Sequence, residues 1–348
     1  MTLTDPASTS APTRSTRGGL RLTLLWVLAV VALAALAWFS LFVGSRGIGA
    51  AQVWDALWHN SSGLDAEAVT GYRVPRAIIS ILAGSALGVA GLLIQRLMSN
   101  PLGDPQILGV NAGAALAIAV AVGLLGLTSV WSYVWFAFLG AVIAMAVVYG
   151  LGSAGRGPLT PIRVTMAGIA VTAALTGAVR GIALLNPAAF DRLRVWEVGS
   201  VVDRDLGVAQ VVGPFILIGV VLAFIVAPAV DVVSMGDEMA TVLGVRVERI
   251  RVVALVAITV LCGAATAAAG PIGFVGLMVP HAIRLTLGAS GRWAVAFAAV
   301  LGGLVVLAAD VVGRVIVRPD EVPVGIVTAV IGGPVLILLV RRWEGSPA

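Results

Sequence analysis

Ten apolar stretches, each separated from the next by proline, glycine or charge, run through this chain of 348 residues. A helix of about 20 apolar residues matches the hydrocarbon thickness of a bilayer, and a backbone inside that layer must satisfy its own hydrogen bonds. The fold class follows: all-α, a polytopic membrane protein with about ten transmembrane helices. Composition agrees, since 59% of the residues are hydrophobic and 11% are charged, where soluble domains carry about 25% charged residues. The expected spans cover residues 22–43, 77–97, 108–125, 134–151, 164–185, 211–230, 252–269, 272–287, 295–312 and 324–340. The eighth is short and carries Gly273, Gly276 and Pro280, so it reads as a broken helix, which is tolerated only within a bundle or beside a cavity. Residues 20–342 form one transmembrane domain. Residues 1–19, rich in Ser, Thr and Pro, are expected to be a disordered tail, and 343–348 a second short tail.

Glycine accounts for 42 residues, and small residues let membrane helices approach closely. Gly84, Gly88 and Gly91 fall on one face of the second span and predict a tight crossing there.

Several chemistries are excluded together. All 22 basic residues are arginine, so there is no P-loop lysine and no Schiff base. Cys262 is the one cysteine, and His59 and His281 are the only histidines, too few for a disulfide or a metal cluster within the chain. No catalytic residue, cofactor or metal is therefore expected, and energy must come from a partner subunit or an ion gradient. The high isoelectric point does not imply nucleic acid, because the arginines are scattered around the spans.

The arginines also orient the chain. With ten spans both termini share a side, and that side collects 13 arginines against seven acids, whereas the other has nine against ten. The positive-inside bias makes the first side cytoplasmic.

Residues 231–251 interrupt the apolar pattern on that side. Asp237 and Glu238 suit the first turn of a helix and Gly244 suits its left-handed end. The helix should be about two turns long, and Met239, Val242 and Leu243 share one face at the i, i+3, i+4 spacing. Two readings are open: an apolar knob gripped by another protein, or an amphipathic loop resting on lipid headgroups. On the opposite side, Arg73 and Arg76 flank Pro75, which suits a first helical turn, and Arg314 lies just beyond the ninth span. They could pair with carboxylates of an external protein; the alternatives are anchoring to lipid phosphates or pairing with Asp320 and Glu321. Residues 99–105 form a dense turn cluster, read as rigid and without chemistry. His281 has two readings, a proton relay or a hydrogen-bonded packing residue. Asp310 is expected to be wet or paired with Arg314 at i+4.

Five segments resemble, in order and spacing, motifs of the FecCD family, the permease subunits of ATP-driven importers for ferric siderophores, haem and cobalamin. They are RVPR at 73–76, NPLGDPQILGVNAGAA at 100–115, GDEMATVLGV at 236–245, GPIGFVGLMVPHAIRL at 270–285 and VPVGIVTAVIGGPVLILLV at 322–340. The resemblance implies the type II ABC importer permease fold, in the cytoplasmic membrane of a prokaryote with both termini inside. It implies a non-catalytic subunit that forms a passage with a second permease, either a copy or a paralogue. It also implies two cytoplasmic ATP-binding subunits and an extracytoplasmic binding protein as partners. Segment 231–251 then corresponds to the family's coupling helices, with Gly236, Asp237, Glu238, Ala240, Leu243 and Gly244 at the ATPase. Arg73, Arg76 and Arg314 correspond to positions that receive the binding protein's acids, and the second, fifth, eighth and tenth spans lie near the passage. The segments 100–115 and 194–200 resemble the ferric-siderophore branch more than the cobalamin one. An ion-driven secondary transporter would want paired ionisable groups within the spans, and a lipid-modifying enzyme would want clustered Asp, Glu or His; neither pattern is present.

Overall fold

A computed structural model describes residues 16–44, 47–59, 63–127, 129–154 and 160–344, and among them every regular element is helical. In chain order these are α1 (Thr16–Ser40), α2 (Ala50–Trp58), α3 (Leu64–Glu67), α4 (Val74–Leu97), α5 (Val110–Gly123), α6 (Val130–Ser153), α7 (Pro161–Leu185), α8 (Pro187–Trp196), α9 (Leu206–Val233), α10 (Asp237–Val242), α11 (Val247–Ala269), α12 (Val275–Ala282), α13 (Gly291–Ile316) and α14 (Val324–Glu344). Seven helices are long and apolar enough to span a bilayer, and three shorter apolar helices, Val110–Gly123, Val275–Leu287 and Val324–Leu338, bring the number to ten. Residues 1–15 of the first expected tail, Arg46, Arg156 and residues 345–348 lie outside the described residues. Inside them both tails are shorter than expected: residues 16–19 belong to α1, and α14 runs on to Glu344.

α4 and α11 form the centre, with 78% of the apolar window of each buried inside the chain, whereas the window of α1 is not buried at all. α1 lies against the outside of α13, where the Trp26 indole donates to the Ala296 carbonyl at 3.2 Å. The glycine seam behaves as its spacing predicts. Gly84 and Gly88 bring α4 against the backbone of Gly302 and Ala298 in α13, and Gly91 brings it against Gly276 in α12. At each of these glycines an added methyl would collide with backbone, which has no rotamer in which to move away.

Three elements depart from expectation, each for a local reason. The second span does not open near Ala77; α3, a π turn over Ala68–Arg73 and α4 run on as one 34-residue helix, Leu64–Leu97. The wider π turn lies just ahead of Pro75, where the ring would otherwise crowd the preceding carbonyls. The turn cluster after α4 leads the chain into the bundle. Pro105 and Leu108 are buried, the Ile107 carbonyl abuts Gly168 of α7, and Gly109 at φ 78° turns the chain into α5. α5 therefore has only 14 residues. Asp104 caps the 3₁₀ turn Pro105–Leu108 by accepting from the Gln106 amide at 2.8 Å. Burial pushes its carboxyl above the ordinary value, and that hydrogen bond partly opposes the shift. Two short helices, α2 and α8, occupy segments expected to be loops, and α2 carries a stacked pair, Trp54 and Trp58, with centroids 4.6 Å apart. The expected break in the eighth span is present: an extended lead-in with Gly270 at φ 71° and Phe274 at φ 69° precedes α12, and a π turn, Ile283–Leu287, ends it.

The glycine contacts generate a test. Gly91→Val should destabilise the detergent-solubilised protein by more than the roughly 1–3 kcal/mol of ordinary overpacking, seen as a lower melting midpoint. Gly150→Ala, whose methyl would meet open space, should leave that midpoint unchanged or slightly raised.

Candidate functional site

Two features at opposite ends of the bundle, and a cavity near one of them, bring the chemistry-bearing residues together. At the end that holds the start of α1 and the end of α14, α10 projects between α9 and α11. Gly236 at φ 116° begins it and Gly244 at φ 78° ends it, conformations that a side chain would strain. The helix has six residues, slightly shorter than the spacing predicted, because Leu243 is already its cap. Ala240 is fully buried, and the Asp237 carboxylate accepts from Arg251 Nη2 at 2.8 Å, so the stub is fixed to α11. Met239, Val242 and Leu243 point outward, with Val242 83% exposed, while Glu238 is exposed beside them. Of the six residues expected at a contact, Gly236, Asp237, Glu238, Leu243 and Gly244 are accessible, and Ala240 is the one that holds the stub down.

Behind this stub lies a cavity of about 710 Å³, walled by the ends of α4 and α9, the turn after α4, and α12 with its π turn. Arg96 pairs there with Asp231, whose other oxygen accepts from the Gly291 amide at 2.5 Å. Arg284 donates to Gln95 Oε1 at 3.0 Å and lies 3.3 Å from Nδ1 of His281. His281 is thus part of a cavity wall, beside a guanidinium.

At the far end the three expected docking arginines converge, and acids of the chain itself lie among them. Asp310 is 1% exposed and receives both Arg76, at 2.7 Å from Nη2, and Arg314. Arg76 also pairs with Glu321. Arg314 donates through Nη1 to the Ser40 carbonyl at 2.9 Å, and Arg73 to the Leu41 carbonyl at 2.7 Å. The Ser40 carbonyl that ends α1, which has no intrahelical donor, and the Leu41 carbonyl just beyond it are answered by these guanidinium groups. Of the alternatives open in the sequence, Arg314 with Asp310 and Arg76 with Glu321 are the pairs observed; Arg76 with Asp310, 234 positions apart, had no sequence signal. Arg314 is fully buried at 1% exposure, Arg73 and Arg76 each keep a little surface, 8% and 12%, and Glu321 keeps the most, 26%.

Residues 32–342 match the model of the FecCD transport family. The chain belongs to that family. It is 45% identical over 303 residues to the ferric enterobactin transport system permease protein FepD of Escherichia coli, covering 87% of this chain and 90% of that one. It is 33% identical over 325 residues to the hemin transport system permease protein HmuU of Yersinia pestis, covering 92% and 94%. Among solved structures, an inward-facing conformation of a metal-chelate-type ABC transporter superposes with a TM-score of 0.80 at 21% identity, over 92% of this chain and 99% of that one. The last likeness establishes the fold: an integral membrane, all-helical FecCD-family chain.

Sequence reading of this FecCD chain missed Gln95, Arg96, Asp231 and Arg284 as a cluster. Gln95 and Arg96 follow an apolar run at the end of α4, and polar side chains there are themselves a signal, because they need partners. The far-end network also yields an expected outcome. Asp310→Asn leaves two arginines without their shared anion, and breaking a buried pair costs about 3–5 kcal/mol. The melting midpoint of the purified protein should fall sharply, whereas Glu321→Gln, at the exposed edge, should lower it little.

Proposed function

We propose that this chain is the membrane permease subunit of an ATP-driven importer, forming with a second permease subunit the passage for a ferric siderophore. The observation that carries the reading is α10: a short apolar stub, exposed at Met239, Val242 and Leu243 and fixed at its base by Ala240 and Asp237–Arg251. Such a stub is built to transmit force from a separate motor, and the chain has no lysine for a nucleotide loop of its own. The α10 end is then cytoplasmic, with both termini, and the arginine network faces outward. The cargo class is supported by the relative at 45% identity, which is named for ferric enterobactin. A haem importer is the second reading, because a hemin permease covers nearly the whole chain at 33%.

In this reading the stub Gly236–Gly244 seats in a groove of the ATPase, and closure of the two ATPases moves it with α9 and α11. Docking of the binding protein acts at the outer network by exchange. Arg73 and Arg314 are held by the chain's own carbonyls and Asp310, so they shape the surface. Arg76 can trade Glu321 for an acid of the partner, which keeps its guanidinium paired throughout and avoids the cost of a bare buried charge.

Two outcomes are expected. Leu243→Asp should abolish ATP-dependent uptake and lower co-purification of the ATPase, since it places a charge where an apolar contact forms; wild-type yield of both would overturn the coupling role. Glu321→Gln should tighten binding-protein docking at low salt, and Arg73→Glu with Arg76→Glu should weaken it in a salt-dependent way. Affinity unchanged in both variants would remove the docking role. Uptake of ferric catecholate against haem into proteoliposomes decides the cargo.

A further inference from the structure

The break between α11 and α12 is held by side chains that neither the coupling stub nor the outer network uses. Gln106, beyond the Asp104-capped turn, donates from Nε2 to the Ile272 carbonyl at 3.1 Å. Its Oε1 accepts from Asn111 Nδ2 at 3.0 Å, and Asn111 Oδ1 accepts from the Thr266 hydroxyl at 3.0 Å. One continuous chain of hydrogen bonds therefore joins the end of α11, the start of α5 and the extended lead-in to α12. A second amide grips the other side of the break: Gln95 of α4, 3% exposed, donates to the Gly276 carbonyl at 2.9 Å, and its Oε1 receives Arg284 from the end of the same short helix. Between the two grips stands Phe274 at φ 69°, a left-handed conformation that a bulky side chain holds only when its surroundings impose it. Its ring and Cβ pack against Gly332 of α14. A cavity of about 10 Å³ lined by Gln106, Asn111, Cys262 and Thr266 lies beside the chain, the least room a single water needs.

Polar groups at this depth cost stability unless each finds a partner, and an apolar break without them would leave the Ile272 and Gly276 carbonyls unanswered. We propose that Gln106, Asn111, Thr266 and Gln95 are positioning residues of transport: a two-sided amide clamp that sets where α12 begins and ties that half-helix to α4, α5 and α11 so that it follows them as a unit. The inference rests on the importer reading above. Arg284 and the Arg96–Asp231 pair place the clamp within one cavity wall of the segment that leads into α10, so movement of the stub reaches the break through directly bonded groups. The clamp converts that movement into a shift of α12; without it, ATP hydrolysis continues and the half-helix follows poorly.

The test uses the complete importer, with the second permease, the ATPases and the binding protein, in proteoliposomes containing ferric catecholate. Thr266→Val and Gln106→Met nearly preserve shape and remove hydrogen bonds; Thr266→Ser restores the hydroxyl. The expected result is that the first two assemble, hydrolyse ATP within about twofold of wild type and import about tenfold less iron per ATP, while Thr266→Ser behaves as wild type. Wild-type import per ATP in both variants would overturn the proposal, as would hydrolysis and import falling together with the melting midpoint. Should either variant fail to fold, hydrogen–deuterium exchange of residues 270–276 in the wild-type complex decides: exchange that changes on ATP binding supports the clamp, and identical exchange overturns it. Failure of the importer reading is separately visible, as absence of ATP-dependent uptake by the wild-type complex.

Discussion

Backbone meets backbone along α4, and the rest of the molecule is arranged around that fact. Because Gly84, Gly88 and Gly91 carry no side chains, α13 and α12 approach until carbonyls lie against Cα atoms, closer than any pair of side-chain-bearing helices can come. In lipid there is no hydrophobic drive between helices, so dispersion over such contacts has to supply the cohesion. The consequence is a rigid central pair, α4 with α13, and a short helix, α12, seated on the same seam at Gly91. Whatever moves in this chain moves relative to that seam.

A bundle held by close packing tolerates irregular backbone only where polar side chains answer it. The chain has several such places, and each is answered differently. The π turn before Pro75 carries Arg73, which satisfies the end of α1. The inward fold of residues 98–109 is stopped by Asp104 and turned by Gly109. The break before α12 is answered by two amides from different helices. Charged pairs gather at the two ends of the bundle and the break itself is answered by neutral amides: a neutral amide costs far less to bury than an ion, and at the far end two arginines share one buried carboxylate.

Sequence exposed much of this and concealed the rest for a consistent reason. The ten spans, the seam, the broken eighth helix and the apolar face of α10 all depend on neighbours within a few residues, which periodicity records. The far-end network depends on Arg76 meeting Asp310 across more than two hundred positions, and no local pattern encodes that. The inward fold after α4 reads in the sequence only as a turn cluster, because proline, glycine and asparagine serve any tight turn; the packing of Leu108 beside Gly168 of α7 and of Pro105 beside Gly276 of α12 comes from distant residues. α2 and α8 have 9 and 10 residues, and helices that short leave no apolar run of span length in the sequence.

The six residues expected at the ATPase contact illustrate how far a motif can be carried. Five face outward and one, Ala240, is buried against the bundle, so a common motif contains two kinds of constraint. Gly236 and Gly244, at positive φ, set where the stub starts and stops, Leu243 is exposed on it, and Ala240 holds it to the bundle. The proposed coupling role needs a base that does not flex, and a buried small residue next to an ion pair, Asp237–Arg251, holds the base of α10 to the bundle without lengthening it. The outer arginines divide in the same way: Arg314 is fixed by the Ser40 carbonyl and Asp310, and Arg76, paired with Asp310 and Glu321, is the one proposed to exchange a partner with a second protein.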